Sequence, residues 1–424
     1  MPETSRNVRV FGFTSLLNDT ASEMAYWVLP AFLGTLGAGP EQLGIIEGIA
    51  ESVASFAKLY SGKLADKLPR RKPMVVAGYA VANLAKPLLA FVNAWWQVLL
   101  IRFSDRLAKG VRGAPRDVLV AESVAKENVG SAFGLLQAMD SAGAILGPLN
   151  AVLLLHYGFD LRHVFLFAAV PGILAVVIVS VFARETRKAG VAADLRSGDA
   201  KDDLQQRSSR ASELKASESR DLGSESLNHT ITQSHNRISL PHSFYFVIAA
   251  LAIFSIGNSS DMFLVLRAQN AGIAAAFAPL LGLVFNIVYT ATSWPAGKLA
   301  DKFSKNALAA AGFLVFALVY FVFAAAPARL AIWIAMGFYG VYYSLTQPVL
   351  KALVSNTVAP EHRGRAFGLF YFVTSVAALF ASLLTGWLWK RFSPATPFYF
   401  SAALALVAAI MLFFAPRAPK TSAA

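Results

Sequence analysis

Long apolar stretches separated by short polar ones run along almost the whole chain. Twelve of them are at least about 18 residues long, enough for a helix to cross a hydrocarbon layer roughly 30 Å thick. They fall at roughly 9–36, 41–64, 73–92, 95–121, 129–156 and 162–182, then at roughly 242–270, 274–299, 306–325, 328–356, 364–390 and 395–415. Lipid offers backbone groups no partner outside the segment, so each stretch predicts a helix. The pattern predicts an all-α integral membrane protein of twelve transmembrane helices in two six-helix bundles, numbered here spans 1 to 12. Between the bundles, 189–240 is rich in charged residues, holds ten serines and has nothing to bury. It is expected to be a disordered cytoplasmic linker, joining an N-terminal bundle (1–188) to a C-terminal one (241–424).

Composition agrees. Of 424 residues, 56% are hydrophobic and only 15% charged, against about a quarter in soluble domains; the mean hydropathy is +0.52. The net charge of +13 is not a nucleic-acid surface, because Lys and Arg gather in short clusters between spans, as in Lys67–Leu68–Pro69–Arg70–Arg71–Lys72. That bias predicts that these loops and both termini lie in the cytoplasm, and the chain is expected in the inner membrane of the cell. The opposite loops hold little beyond Arg162, Arg329, Lys390 and Arg391. The polar start, Met1 to Val10, leads into a helix too long and too polar in its middle for a cleaved leader. Cysteine is absent, which removes disulfides, thiolate metal sites and thiol nucleophiles. His156 and His163 flank one outer loop without a third ligand, so no metal is expected, and no nucleotide-binding loop is present. The reading is a monomer that is not an enzyme, needs no cofactor, and has a small solute, protons and lipid as partners.

An internal repeat organises the spans. Gly62–Lys63–Leu64–Ala65–Asp66–Lys67 recurs as Gly297–Lys298–Leu299–Ala300–Asp301–Lys302, an offset of 235 residues. Gly130-x-Ala132–Phe133–Gly134–Leu135 recurs as Gly364-x-Ala366–Phe367–Gly368–Leu369 at an offset of 234, and Pro115 keeps step with Pro348. Parallel halves related by an axis along the membrane normal are implied. The two Gly-Lys-Leu-Ala-Asp-Lys loops resemble the signature loop of the major facilitator superfamily, and motifs on spans 4 and 5, given below, are similar to those of its proton-linked bacterial drug antiporters. The likeness covers the chain apart from linker and tails. It departs locally, with Pro69 where the family usually has glycine and a second copy that thins out at Phe303–Asn306. A carboxylate at the end of one helix can sit against the positive N-terminus of another, so Gly62, Asp66, Arg70, Gly297 and Asp301 are read as a conformational latch. Asp66 would face the start of span 11 and Asp301 the start of span 5. Anchoring of the loop to anionic lipid by its basic residues is the plainer reading.

Candidate chemistry concentrates in the first half. Arg102, Asp105, Arg106, Lys109, Arg112 and Arg116 keep three- and four-residue spacing along span 4 and share a face. Intramembrane charges cost at least about 3 kcal/mol each and normally face a wet cavity or partners. Arg106-x-x-Lys109–Gly110 resembles a span 4 pattern of proton-linked members, with Lys in place of the usual Gln. Asp19 and Glu23 share a face of span 1, and Glu47, Glu51 and Lys58 lie on span 2. A buried carboxylate beside a cation can be ionised and paired, or protonated with its partner released. Asp19, Glu23, Asp105 and Arg106 are therefore the expected proton-coupling set, with Arg106 the partner of the two span 1 acids and Glu47 or Glu51 in reserve. A permanently ionised structural pair is the alternative. Gly143-x-x-x-Gly147–Pro148 on span 5 resembles the antiporter signature and implies close packing and a proline kink. The second half is poorer in charge and richer in aromatics. Arg102, Lys109, Asp140, Asn258, Asp261, Tyr343, Gln347 and Lys351 are the expected substrate contacts. The function these features imply is proton-coupled efflux of a small polar, charged or amphiphilic solute by alternating access. Uptake of an organic anion, and export of a divalent metal through hard oxygen ligands, stay open.

Overall fold

Proline, glycine and short polar side chains decide where the helices of this protein start, stop and break. The computed structural model describes residues 5–67, 70–125, 128–186, 241–325, 328–356, 358 and 363–415. At some of these positions, among them 62–67, 297, 298, 300–302, 351 and 352, the backbone alone is described. Spans 2, 4 and 5 are single helices, Pro40–Lys67, Trp95–Ala121 and Val129–His156. So are spans 8 to 12, Ala278–Lys302, Lys305–Ala325, Arg329–Asn356, Arg363–Arg391 and Thr396–Phe413. Span 3 is Lys72–Leu88 continued by a 3₁₀ turn, Leu89–Phe91. Span 5 remains one helix through Pro148.

Three spans read as continuous in the sequence are broken. Span 1 is Arg6–Tyr26 followed by Leu29–Thr35; Pro30 has no N–H for the carbonyl of Tyr26, and the helix restarts with that proline in its first turn. Pro171 acts in the same way in span 6, dividing Leu161–Phe167 from Ala169–Phe182. Span 7 divides into His242–Gly257 and Met262–Asn270. There the cause is the run Gly257–Asn258–Ser259–Ser260–Asp261, whose side chains compete for the backbone's hydrogen bonds.

Eight helical segments among the described residues are long and apolar enough to cross a membrane by length and composition. Spans 1, 2, 4 and 10 are not among them. The first three hold charges in mid-helix, and span 10 holds Gly, Tyr, Ser and Gln. Large apolar side chains such as Leu84, Leu318 and Phe413 remain exposed on the outside of the bundles, where lipid is their solvent. Helix association must therefore come from close packing and hydrogen bonds rather than from the hydrophobic effect.

The packing repeats between halves as the sequence does. Span 1 packs on 5 and 6, span 4 on 2 and 3, and span 3 on 6; span 7 packs on 11 and 12, span 10 on 8 and 9, and span 9 on 12. The halves meet through spans 2 and 11 and through spans 5 and 8. Ser52 Oγ donates to the carbonyl of Ser375 (3.0 Å), and the rings of Phe56 and Phe372 meet edge to face at 6.1 Å. At the face of the bundle away from the termini, Lys390 pairs with Glu41 at 2.6 Å. The interior of the second half is aromatic, with Phe254 stacked on Phe313 at 3.8 Å and Phe316 on Tyr320 at 3.9 Å.

Candidate functional site

Span 4 runs along span 2, with far less contact to span 1, and this decides how the charges pair. Glu47 is fully buried, and Arg102 donates to its Oε1 from Nε (3.0 Å) and Nη2 (2.7 Å). One helical turn on, Arg106 Nη2 pairs with Glu51 Oε1 at 3.0 Å. Arg102 also lies 3.8 Å from Asp105, which in turn lies 3.5 Å from Lys86 of span 3. Lys86 donates to Asn83 Oδ1 (3.1 Å), Asn83 to Asn18 Oδ1 (3.1 Å), and Asn18 to Asp19 Oδ1 (2.9 Å). A continuous polar chain thus links Glu47 at the interface to Asp19 on span 1. Such a chain is stable in a low-dielectric interior because each member satisfies the next.

Glu23 is held differently. Its Oε2 accepts the indole N–H of Trp27 at 2.7 Å, and none of the ion pairs among the described residues includes it. Span 5 closes against this stretch. A β-carbon on Gly147 would stand 2.6 Å from Glu23 Cβ and 2.8 Å from the carbonyl of Thr20, and one on Gly143 would overlap the carbonyl of Leu16. The glycine pair is what lets spans 1 and 5 approach.

A cavity of about 620 Å³ lies between the halves, with Glu23, Glu51, Arg106 and Lys109 on one side and Asn258, Asp261, Tyr343 and Gln347 on the other. It extends from Trp27 to Lys58, Leu350 and Phe370, towards the face that carries the termini. A smaller recess of about 80 Å³ joins Glu23, Arg106 and Lys109 to Asp19, Asp105 and Arg112. On the second half's wall, Asp261 accepts hydrogen bonds from Tyr339 (2.6 Å) and Tyr343 (3.2 Å). Phe285 and Tyr343 meet edge to face at 5.0 Å beside it. The halves are tied above the cavity by Ser260 of the span 7 break, whose hydroxyl donates to Glu47 Oε2 at 3.0 Å.

The structure places the sequence candidates unequally. Glu23, Arg106, Lys109, Asn258, Asp261, Tyr343 and Gln347 line the large cavity, and Asp19 and Asp105 the small recess. Arg106 pairs with Glu51 instead of the span 1 acids, because span 2 and not span 1 flanks that face of span 4. Arg102 is buried against Glu47 and borders only the recess. Asp140 lies outside both cavity walls and keeps a buried oxygen without a hydrogen-bond partner among the described residues. Arg70 is exposed, while Gly62 and Gly297 are described by their helical backbone alone and the side chains of Asp66, Asp301 and Lys351 lie outside what is described. No group of three His, Asp or Glu side chains converges as a metal site among the described residues. Sequence reasoning missed Trp27, Lys86 and Ser260. Lys86 had a readable signal, since a lone lysine within an apolar span needs a partner or a function.

Two six-helix halves, packed alike and enclosing a polar cavity between them, define a membrane transporter of the two-bundle class. The family model for the Major Facilitator Superfamily matches residues 11–266 and 244–424. An uncharacterized MFS-type transporter of Methanocaldococcus jannaschii is 32% identical over 419 residues, 97% of this chain and 95% of its own length. The chain belongs to the Major Facilitator Superfamily and is a multi-pass membrane transporter, not an enzyme. The multi-drug resistance efflux pump PmrA of Streptococcus pneumoniae is 33% identical over 184 residues, 42% of this chain and 45% of the pump. A crystal structure of a variant of the nucleoside transporter NupG shares the fold, with a TM-score of 0.71 at 13% identity over 96% of this chain and 99% of that one.

Proposed function

We propose that the protein exports a small amphiphilic solute in exchange for protons, by alternating access, with Glu23 as the group that carries the proton. One observation carries the reading. Glu47, Glu51 and Asp105 each have a cationic partner, whereas Glu23, in the cavity wall, is bonded to a single neutral indole. Asp19 and Asp261 are also outside the ion pairs among the described residues, but Asp19 ends the polar chain in the recess and Asp261 is held by two tyrosine hydroxyls. A carboxylate held in no ion pair loses least when it is protonated. The partial likeness to PmrA favours export. Asp261 among Tyr339, Tyr343 and Phe285 offers a carboxylate and ring faces, which suits a planar solute with a cationic group over an organic anion. Lys109 and Arg106 on the opposite wall would take an accompanying polar or acidic group.

The same proposal places the termini and the latch loops in the cytoplasm, in a monomer of the cell membrane, with 1–188 and 241–424 as the moving halves and 189–240 joining them. Asp66 and Asp301 would then stabilise the state closed to the cytoplasm. The test is ethidium transport by proteoliposomes under an imposed pH gradient. Glu23→Gln should abolish gradient-driven transport, while ethidium exchange down its own gradient survives. Gradient-driven transport at the wild-type rate would exclude Glu23, and the same loss in Asp19→Asn instead would move the role to Asp19.

A further inference from the structure

Trp27 occupies the gap in span 1, directly after Tyr26 ends the first helix. Its side chain is 2% exposed and forms part of the cavity's roof. One edge of the indole, the N–H, is bonded to Glu23 of its own half. The ring itself packs directly against Gly282 of span 8, in the other half. A β-carbon on Gly282 would overlap ring atoms of Trp27, so only glycine leaves room for this contact. Phe285, one turn along span 8, completes the seat, with its ring centre 6.4 Å from that of Trp27. Beyond this contact, towards the face away from the termini, Val28, Leu29, Phe32, Ala278 and Leu281 are fully or almost fully buried in one apolar cluster. A single side chain therefore touches both the carboxylate assigned to the proton and the surface where the halves close.

We propose that Trp27 is the positioning residue that ties the ionisation of Glu23 to the seal between the halves. Ionised, Glu23 accepts a charge-assisted hydrogen bond that fixes the indole on Gly282 and keeps the far face shut. Protonated, it offers a neutral acceptor about half as strong, and the indole is freer to leave the glycine seat. The other charged groups near Glu23 are Asp19 on its own helix, Arg106 and Lys109 on span 4, Glu51 on span 2 of the same half, and Asp261 across the cavity. At this level span 5 presents the uncharged Gly147. None of these touches the indole by hydrogen bond, so the Trp27 N–H is the direct mechanical link. The inference rests on Glu23 carrying the proton, and its test separates the two.

The chain has no cysteine, so Tyr157→Cys and Phe277→Cys can be labelled uniquely with nitroxides. Both positions are exposed, at 76% and 53%, and lie at the ends of spans 5 and 8 on the far face. Electron–electron resonance distances are then compared at acid and alkaline pH in nanodiscs. In the labelled parent the ratio of short to long distances should rise about fivefold on going to alkaline pH, the gap between a charged and a neutral hydrogen bond. Trp27→Phe should remove that dependence, and Gly282→Ala should hold the long distance at both pH values. Trp27→Phe adds no atoms, so it keeps the test alive if Gly282→Ala fails to fold. A parent-like pH response in Trp27→Phe, or a parent-like short population in Gly282→Ala, overturns the proposal. If Glu23→Gln abolishes gradient-driven transport while Trp27→Phe keeps the pH response, the link fails alone. Wild-type gradient-driven transport in Glu23→Gln sinks the underlying reading as well.

Discussion

Removal of Glu47 should be the most destabilising single change in the charged layer. The side chain is fully buried, receives two hydrogen bonds from Arg102 through one oxygen, and takes Ser260 from the other half on its second. In Glu47→Ala the guanidinium stays charged, since arginine does not deprotonate in proteins. Its remaining acidic neighbour is Asp105 at 3.8 Å, already shared with Lys86. Breaking one side of a buried pair costs about 3–5 kcal/mol, while replacing both partners by apolar residues of similar volume is often neutral. Glu47→Leu with Arg102→Met should therefore recover most of the loss. Ser260→Ala, which deletes one hydrogen bond to a charged acceptor, should cost about 1.5–3 kcal/mol. The assay is a double-mutant cycle on reversible unfolding in mixed micelles, followed by far-ultraviolet circular dichroism. A cost below about 1 kcal/mol for Glu47→Ala, the range of an exposed pair, would refute the argument. So would a double variant no more stable than the worse single one.

Three further outcomes follow from the geometry. Gly147→Ala should lower the thermal midpoint by overpacking against Glu23 and Thr20, at about 1–3 kcal/mol, whereas Gly134→Ala, with open space around its added carbon, should not. Asp261→Asn keeps an acceptor for Tyr339 and Tyr343 but removes the charge. Ethidium binding, read by fluorescence, should weaken about tenfold or more while a neutral dye is unaffected. Asp160 caps Leu161–Phe167 by accepting from the backbone N–H of His163 (3.0 Å). That bond and a second one from the His163 ring hold its carboxyl below the usual carboxylate range. A lowered value means the cap contributes above the ordinary carboxylate range and is lost as pH falls through the lowered one. Asp160→Ala should thus cost under about 1 kcal/mol at neutral pH, given the solvent exposure. The difference in thermal midpoint from wild type should vanish in strong acid.

The spans were legible because length and apolarity alone require helices in lipid, and the repeat was legible because its loops stand at nearly one offset. The breaks were not read, although Pro30, Pro171 and the Gly257–Asp261 run were visible, because the apolar pattern continues across them. On span 4 the spacing gave the charged face directly. Which acid meets which cation depends on neighbours that only packing decides, and packing put Glu51 rather than Glu23 on Arg106. Trp27 was out of reach for the same reason. Its sequence neighbours tell of an amphipathic aromatic, and its partner Gly282 lies 255 positions away in the other half.

The charged layer also dictates an order of biosynthesis. Span 4 carries Arg102, Asp105, Arg106, Lys109 and Arg112, each unfavourable by about 2.5–3.5 kcal/mol at the centre of an isolated inserted helix. Released alone from a translocation channel, it would not stay in the bilayer. Its counter-ions Glu47, Glu51 and Lys86 belong to spans 2 and 3, which leave the ribosome first and await it. A circular permutant that presents span 4 before span 2 would hold every native contact in principle and still fail to assemble.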